Sequence, residues 1–178
     1  TKTLIKSGQD DGFDVIVRKL VEIKGSVVSS SKIRELIKNG EIALANEMLG
    51  RAYTISGTVV SGANRGGVLG FPTANIEFSD ADLIVPAKGV YAARVVISDI
   101  EHLGMANIGY NPTFGDIDKK RLEINIFDFT DDIYGKEIIV RLMHYIRGER
   151  KFSSPAELSE QIQMDKDIIS AYFNEEEN

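Results

Sequence analysis

Between Tyr53 and Ile146 the chain repeats one texture: short runs of alternating β-branched and aromatic residues, cut by Gly, Pro, Asn and Asp. A period of two puts every second side chain on the same face of a strand. The runs are Tyr53–Ser61, Thr73–Phe78, Gly89–Ser98, Gly104–Tyr110, Arg121–Phe129 and Lys136–Ile146. Six strands with no helix between them point to an antiparallel sheet, sandwich or barrel. A closed barrel leaves no unpaired edge, so it is the expected form, and the fold class is mainly β. Two connections, Gly62–Phe71 and Asn111–Lys120, are long for a plain meander and carry glycine, which suits a ligand better than packing.

The flanks read differently. Asp14–Ile23 (DVIVRKLVEI) has the look of a further strand. Ser29-Ser30-Ser31 opens a helix over Lys32–Asn39, closed by Gly40, and a second short helix over Glu41–Leu49 ends at Gly50. After the strands, Ser154-Pro155-Ala156-Glu157 has the form of a capping box with proline at the first helical position. Leu158, Ile162, Ile169, Tyr172 and Phe173 then make a helical stripe expected to pack on the barrel. The tail, Glu175–Asn178, is expected to be frayed and solvated.

Composition narrows the function classes. The 178 residues, 43% hydrophobic, suit one domain with a core, or a domain plus a fragment. No apolar run is long enough for a bilayer, and Phe13–Ile23 is too interrupted by charge for a signal peptide, so no membrane partner is expected. A start at Thr1 rather than Met suggests a processed chain or a fragment. The absence of cysteine excludes disulfides and thiolate metal sites and fits a cytoplasmic location. A net charge of -6 opposes a general nucleic-acid binder, and no basic, aromatic-rich stripe relieves it. An anionic ligand would need a local cationic or backbone N–H site.

Four stretches offer such chemistry. Gly66–Asn75 reads GGVLGFPTAN, lacking the lysine of a P-loop and the spacing of a dinucleotide fingerprint. Glycines 66, 67 and 70 permit left-handed backbone and close approach to a ligand, and Pro72 drives Phe71 towards extended geometry. Thr73 and Asn75 then share one face as neutral oxygen ligands for a hard cation, provided phosphates bring the negative charge; the plain alternative is a glycine turn entering a strand with two surface polar residues. In Arg121–Phe129, Glu123, Asn125, Phe127 and Phe129 share a face, so Glu123 is either a partly desolvated general base or an exposed strand carboxylate. Ser29–Arg34 is a helix N-terminus with hydroxyls and cations, serving a phosphate or simply capping. Arg147–Phe152 (RGERKF) is a cationic flap or a solvated connector. The two histidines, His102 and His144, lie far apart and read as structural.

Together these segments resemble the riboflavin kinase family, in the form found as the C-terminal half of the bacterial bifunctional riboflavin kinase/FAD synthetase. The resemblance is carried by GFPTAN (70–75), GVY (89–91), NIGYNPTF (107–114), LEINIFDF (122–129), IYGK (133–136) and IRGERKFSS (146–154), in the family's order. It implies a six-stranded Greek-key-like barrel with a C-terminal helix, and phosphoryl transfer from ATP to the 5′-hydroxyl of riboflavin, giving FMN and ADP. It implies that Thr73 meets Mg²⁺ and the ATP phosphates, that Asn75 supports metal or substrate, and that Glu123 is the base at the riboflavin hydroxyl. Gly66, Gly67, Gly70, Phe71 and Pro72 would form the nucleotide loop, with Arg65 beside the phosphates. Tyr134 would meet phosphate or adenine, Phe114 would line the flavin side, and Arg147 would belong to a closing flap.

Residues 29–34 (SSSKIR) and the following IKNGEIALANEMLGRAY resemble the end of the family's adenylyltransferase domain, with Ser30, Ser31 and Arg34 as a remnant phosphate site. That domain's His-x-Gly-His-type motif is absent. The implied division is a remnant over 1–50 and a riboflavin kinase domain over 51–178, with the missing adenylyltransferase domain as a partner and no FAD synthesis from this chain. A non-catalytic flavin- or nucleotide-binding barrel is the alternative.

Overall fold

The computed structural model describes residues 2–62, 70–111 and 119–176. Helix α1 (Lys2–Asp11) is followed by a small hairpin of β1 (Glu22–Ile23) and β2 (Ser26–Val27). Helices α2 (Ser30–Asn39) and α3 (Ile42–Leu49) come next, then six strands. These are β3 (Tyr53–Val60), β4 (Ala74–Phe78), β5 (Gly89–Ile97), β6 (Ile100–Asn111), β7 (Lys119–Ile126) and β8 (Glu137–Arg147). Helix α4 (Pro155–Glu176) ends the fold.

The six strands close into an antiparallel barrel in the order β3-β4-β7-β6-β5-β8, with β8 pairing both β5 and β3. Placing β4 beside β7 rather than β5 gives the Greek-key crossover. The period-two alternation sorts the faces. Ile55, Val59, Ile76, Tyr91, Ala93, Val95, Ala106, Ile108, Leu122, Ile124, Ile138, Val140 and Leu142 fill the interior. Tyr91 is wholly buried, and its hydroxyl donates to the Ala87 carbonyl at 2.5 Å. Burial pushes its pKa up, so it remains a donor.

One outer face of the barrel is covered rather than solvated. Val90, Ala92, Met105 and Phe127 pack with Ile169 and Phe173 of α4, and Ile162 and Tyr172 lean on the same cluster, as the helical stripe requires. Ser154 caps α4 by accepting from Glu157 N at 3.2 Å. The Glu157 carboxylate reaches back to the N–H and hydroxyl of Ser153, one residue further than in a standard capping box. The helix runs to Glu176, beyond the expected fraying point. Tyr172 donates to Glu176 at 2.6 Å and Arg94 pairs with it at 3.5 Å, which holds the last turn.

At the other end, Ser29 accepts from Lys32 N at 3.2 Å and Gly40 takes the left-handed C-cap of α2, as read from sequence. Leu36, Ile37, Ile42, Ala45 and Met48 join the barrel's own core cluster. Asn46 bonds α3 to the barrel twice, donating to Leu142 O at 2.8 Å and accepting from Tyr53 N at 2.7 Å. Asp14–Ile23, in contrast, is not a strand. Only Glu22–Ile23 pair, and no ladder forms over residues 13–21. Strand-forming composition needs a neighbouring strand to take up its N–H and C=O groups, and no described strand pairs with residues 13–21. Ile16 and Leu20 are accordingly 75% and 73% exposed.

Candidate active site

Register assembles the site. On the β4–β7 ladder Asn75 stands opposite Glu123, and on the β7–β6 ladder Glu123 stands opposite Asn107. The alternate residues of the same strands, Ile76, Leu122, Ile124, Ala106 and Ile108, fill the interior, so this polar row lies on the outer surface. A carboxylate is thus flanked across two strands by amides. The Glu123 side chain is 35% exposed and has Arg121 Nη1 at 3.7 Å, two residues along its own face. It is open to an incoming group, not sealed in the apolar setting that its aromatic neighbours suggested. Phe129 does not share its face. β7 stops at Ile126, Asp128 takes a left-handed φ of 52°, and the turn carries Phe129 round to a cavity at the barrel mouth.

Asn75 is buried, and its Oδ1 has no hydrogen-bond partner among the described residues. Gly62 lies against this amide so closely that a Cβ there would overlap it. Glycine is required at that point, where the chain leaves β3. A buried acceptor without a donor costs free energy unless a ligand completes it. An amide oxygen one alternation from a threonine hydroxyl is a donor set that fits a hard cation in the presence of phosphate.

The ladder's last β4–β7 pair is Ala74 with Ile124. The ladder ends there, and the next residue of β7 is Asn125. Asn125 is 7% exposed and its Nδ2 donates to the Pro72 carbonyl at 2.7 Å. Gly70, at φ 82°, provides the left-handed turn expected of it just ahead. Asn125 shares a face with Glu123 in the sequence, but nothing in one dimension indicates that its partner is a proline carbonyl at the foot of β4.

Thr73 also lines a cavity of about 260 Å³ at the barrel mouth, together with Pro72, Ala74, Ile126, Asp132 and Tyr134. Pro72, Thr73 and Tyr134 are therefore brought to one recess. Tyr134 is 59% exposed on a turn in which its N–H donates to Asp132 at 3.0 Å. Among the described residues no cluster of three His, Cys, Asp or Glu is placed to hold a metal.

Arg147 is engaged elsewhere. Its guanidinium forks onto Asp165 of α4, with Nε at 2.9 and 3.0 Å and Nη2 at 2.7 Å, and its Nη1 donates to Gly148 O at 2.9 Å. Asp165 is 1% exposed and also accepts from Gln161 at 2.9 Å. Ser30 and Ser31 on the first turn of α2, and Arg34 on the second, are exposed, far along the chain from the polar row. His102 stacks edge-on to Phe129 and His144 lies over Tyr172, which gives both a packing role. Arg65, Gly66, Gly67 and Phe114 lie outside the described residues.

The family model described as flavokinase, or riboflavin kinase, matches residues 49–173. The bifunctional riboflavin kinase/FMN adenylyltransferase of Bacillus subtilis (strain 168) is 42% identical over 161 residues, covering 89% of this chain and 50% of that protein. Its namesake from Escherichia coli (strain K12) is 37% identical over 171 residues, covering 96% and 54%. A solved structure described as a macrolide-efflux protein from Streptococcus pneumoniae is 37% identical with a TM-score of 0.84, covering 89% of this chain and 52% of that one. The chain spans about half the length of the curated relatives it matches. Among the described residues no helix is long and apolar enough to cross a membrane.

Proposed function

The chain belongs to the riboflavin kinase family, and we propose that it transfers the γ-phosphoryl group of ATP to the 5′-hydroxyl of riboflavin, giving FMN and ADP. The observation that carries this reading is the row Asn75–Glu123–Asn107, with a buried oxygen unpartnered among the described residues at one end and an accessible carboxylate at its centre. Phosphoryl transfer asks a protein for positioning and charge compensation more than for covalent chemistry. The riboflavin hydroxyl oxygen bonds to the γ-phosphorus, the bond from that phosphorus to the β,γ-bridging oxygen breaks, and ADP leaves. Glu123 orients the hydroxyl and takes its proton. Thr73 and Asn75 are the residues that would hold Mg²⁺, which when bound offsets phosphate charge. Pro72, Thr73 and Tyr134 border the recess assigned to the nucleotide, with Arg65, Gly66, Gly67, Gly70 and Phe71 on the preceding loop. Phe114 is assigned to the flavin side. The forked pair with Asp165 supports a role for Arg147 in holding the 148–153 connector rather than in meeting phosphate directly.

We read residues 1–50 as the end of an adenylyltransferase domain, and Ser30, Ser31 and Arg34 as its remnant phosphate site. The relatives' double length and the bare apolar side chains of residues 13–21 support this reading. A cytoplasmic setting goes with ATP chemistry and a chain free of cysteine.

Glu123→Gln tests the assignment. Its dissociation constants for riboflavin and Mg·ATP are expected to stay near wild type, while kcat falls by roughly 10²–10⁴, the usual worth of a general base. Near-wild-type turnover in that variant overturns the role.

A further inference from the structure

We propose that Asn125 is a positioning residue for phosphoryl transfer, fixing the Pro72–Thr73 turn so that Thr73 stays beside Asn75 and Glu123. The inference rests on the reading above that Thr73 and Asn75 serve Mg·ATP. Pro72 has no N–H, so the only backbone hydrogen-bonding group it offers is its carbonyl. Asn125 Nδ2 takes that group at 2.7 Å from a position that is 7% exposed. Phe71, Pro72 and Thr73 precede the first residue of β4 and have no strand pairing of their own. The amide thus ties the foot of β4 to β7. Its donor stands two residues from Glu123 on the same face, roughly 7 Å along the strand. One strand therefore carries both the base and the clamp on the loop that supplies the metal oxygens. The side chain must be a donor of this length. A carboxylate of the same shape would set oxygen against oxygen, and a serine would not reach.

The test uses the full chain and three variants at this position: Asn125→Asp, which keeps shape and loses the donor; Asn125→His, which keeps a ring N–H of similar reach; and Asn125→Ala, which removes the donor without placing a charge in a buried site. Binding of Mg·ADP is measured by titration calorimetry, riboflavin binding by fluorescence quenching, and folding by thermal melts. Asn125→Asp and Asn125→Ala are expected to weaken Mg·ADP by about tenfold, the scale of one lost hydrogen bond. Riboflavin affinity is expected to hold in both, and Asn125→His to retain both affinities. The loss of Mg·ADP affinity should largely vanish when Thr73 is already Val, because the clamp acts through Thr73.

Unchanged Mg·ADP affinity in a folded Asn125→Asp or Asn125→Ala overturns the proposal. So does an equal loss for both ligands, or a full loss in the Thr73→Val background. If Thr73→Val alone leaves Mg·ADP affinity unchanged, the metal reading fails and the proposal falls with it. If Thr73→Val weakens Mg·ADP while the Asn125 variants do not, the proposal alone fails.

Discussion

Thr73, Asn75 and Glu123 are common residue types, and what sets them apart is the register that brings them together. Asn75 faces Glu123 directly, and Asn75 Oδ1, without a partner among the described residues, is a polar atom placed for a ligand to complete. Thr73→Val keeps the side chain's shape and removes one oxygen from the same set. In steady-state kinetics it is expected to raise KM for Mg·ATP by about tenfold or more, as expected for a lost charge-assisted contact, while KM for riboflavin stays constant. An equal change in both constants counts against metal coordination. The spacing of Thr73 and Asn75, and of Glu123 and Asn125, was legible because side chains two apart share a strand face whatever the fold. The pairing of Asn75 with Glu123, and the bond from Asn125 to Pro72, were not. Each joins residues some fifty positions apart, and only closure of the sheet creates them. Phe129 departs from the alternation for a local reason: the left-handed φ at Asp128 breaks a pattern that the residue types alone extend to position 129.

Helix α4 divides one row along its length. Glu157, Gln161 and Asp165, spaced four apart, hold the connector after β8, and the same row continues into Ile169 and Phe173, which sit in the apolar cluster over β5 and β6. Arg150 bonds Gln161 and Glu157, and Arg147 forks onto Asp165, so the cations of the RGERKF run are largely engaged by the helix. Asp165→Ala leaves Arg147, 23% exposed, without its partner. The expected cost is about 3 kcal/mol in urea unfolding, the lower end for a broken buried pair. A loss below about 1 kcal/mol would show the pair to behave like a surface one. The helix stripe and its cap were readable in the sequence because both are local signals. Asp14–Ile23 has a strand's residues without a strand's pairing, because period and residue type report what a segment is able to form, not whether a strand pairs with it.

The barrel closes on itself, takes α2 and α3 into its core cluster and wears α4 on one outer face. The described parts of the proposed kinase site, among them Gly70, Phe71, Pro72, Thr73, Asn75, Asn107, Glu123, Asn125 and Tyr134, belong to the barrel or its connections. The segment ahead of α2 contributes none of them and shows Ile16, Val17, Leu20 and Val21 to solvent, each more than half exposed. In the reading proposed above, these side chains are ones that the rest of an adenylyltransferase domain would cover. The two activities in the relatives' names should therefore separate in this chain. The decisive measurement incubates it unaltered with riboflavin, ATP and Mg²⁺ and resolves flavins and nucleotides by chromatography. FMN and ADP are expected in equal amounts, with no FAD formed even when FMN and ATP are both abundant. Riboflavin that binds but is recovered unphosphorylated, with no ADP beyond the no-flavin control, would contradict the kinase reading and leave a flavin-binding barrel in its place.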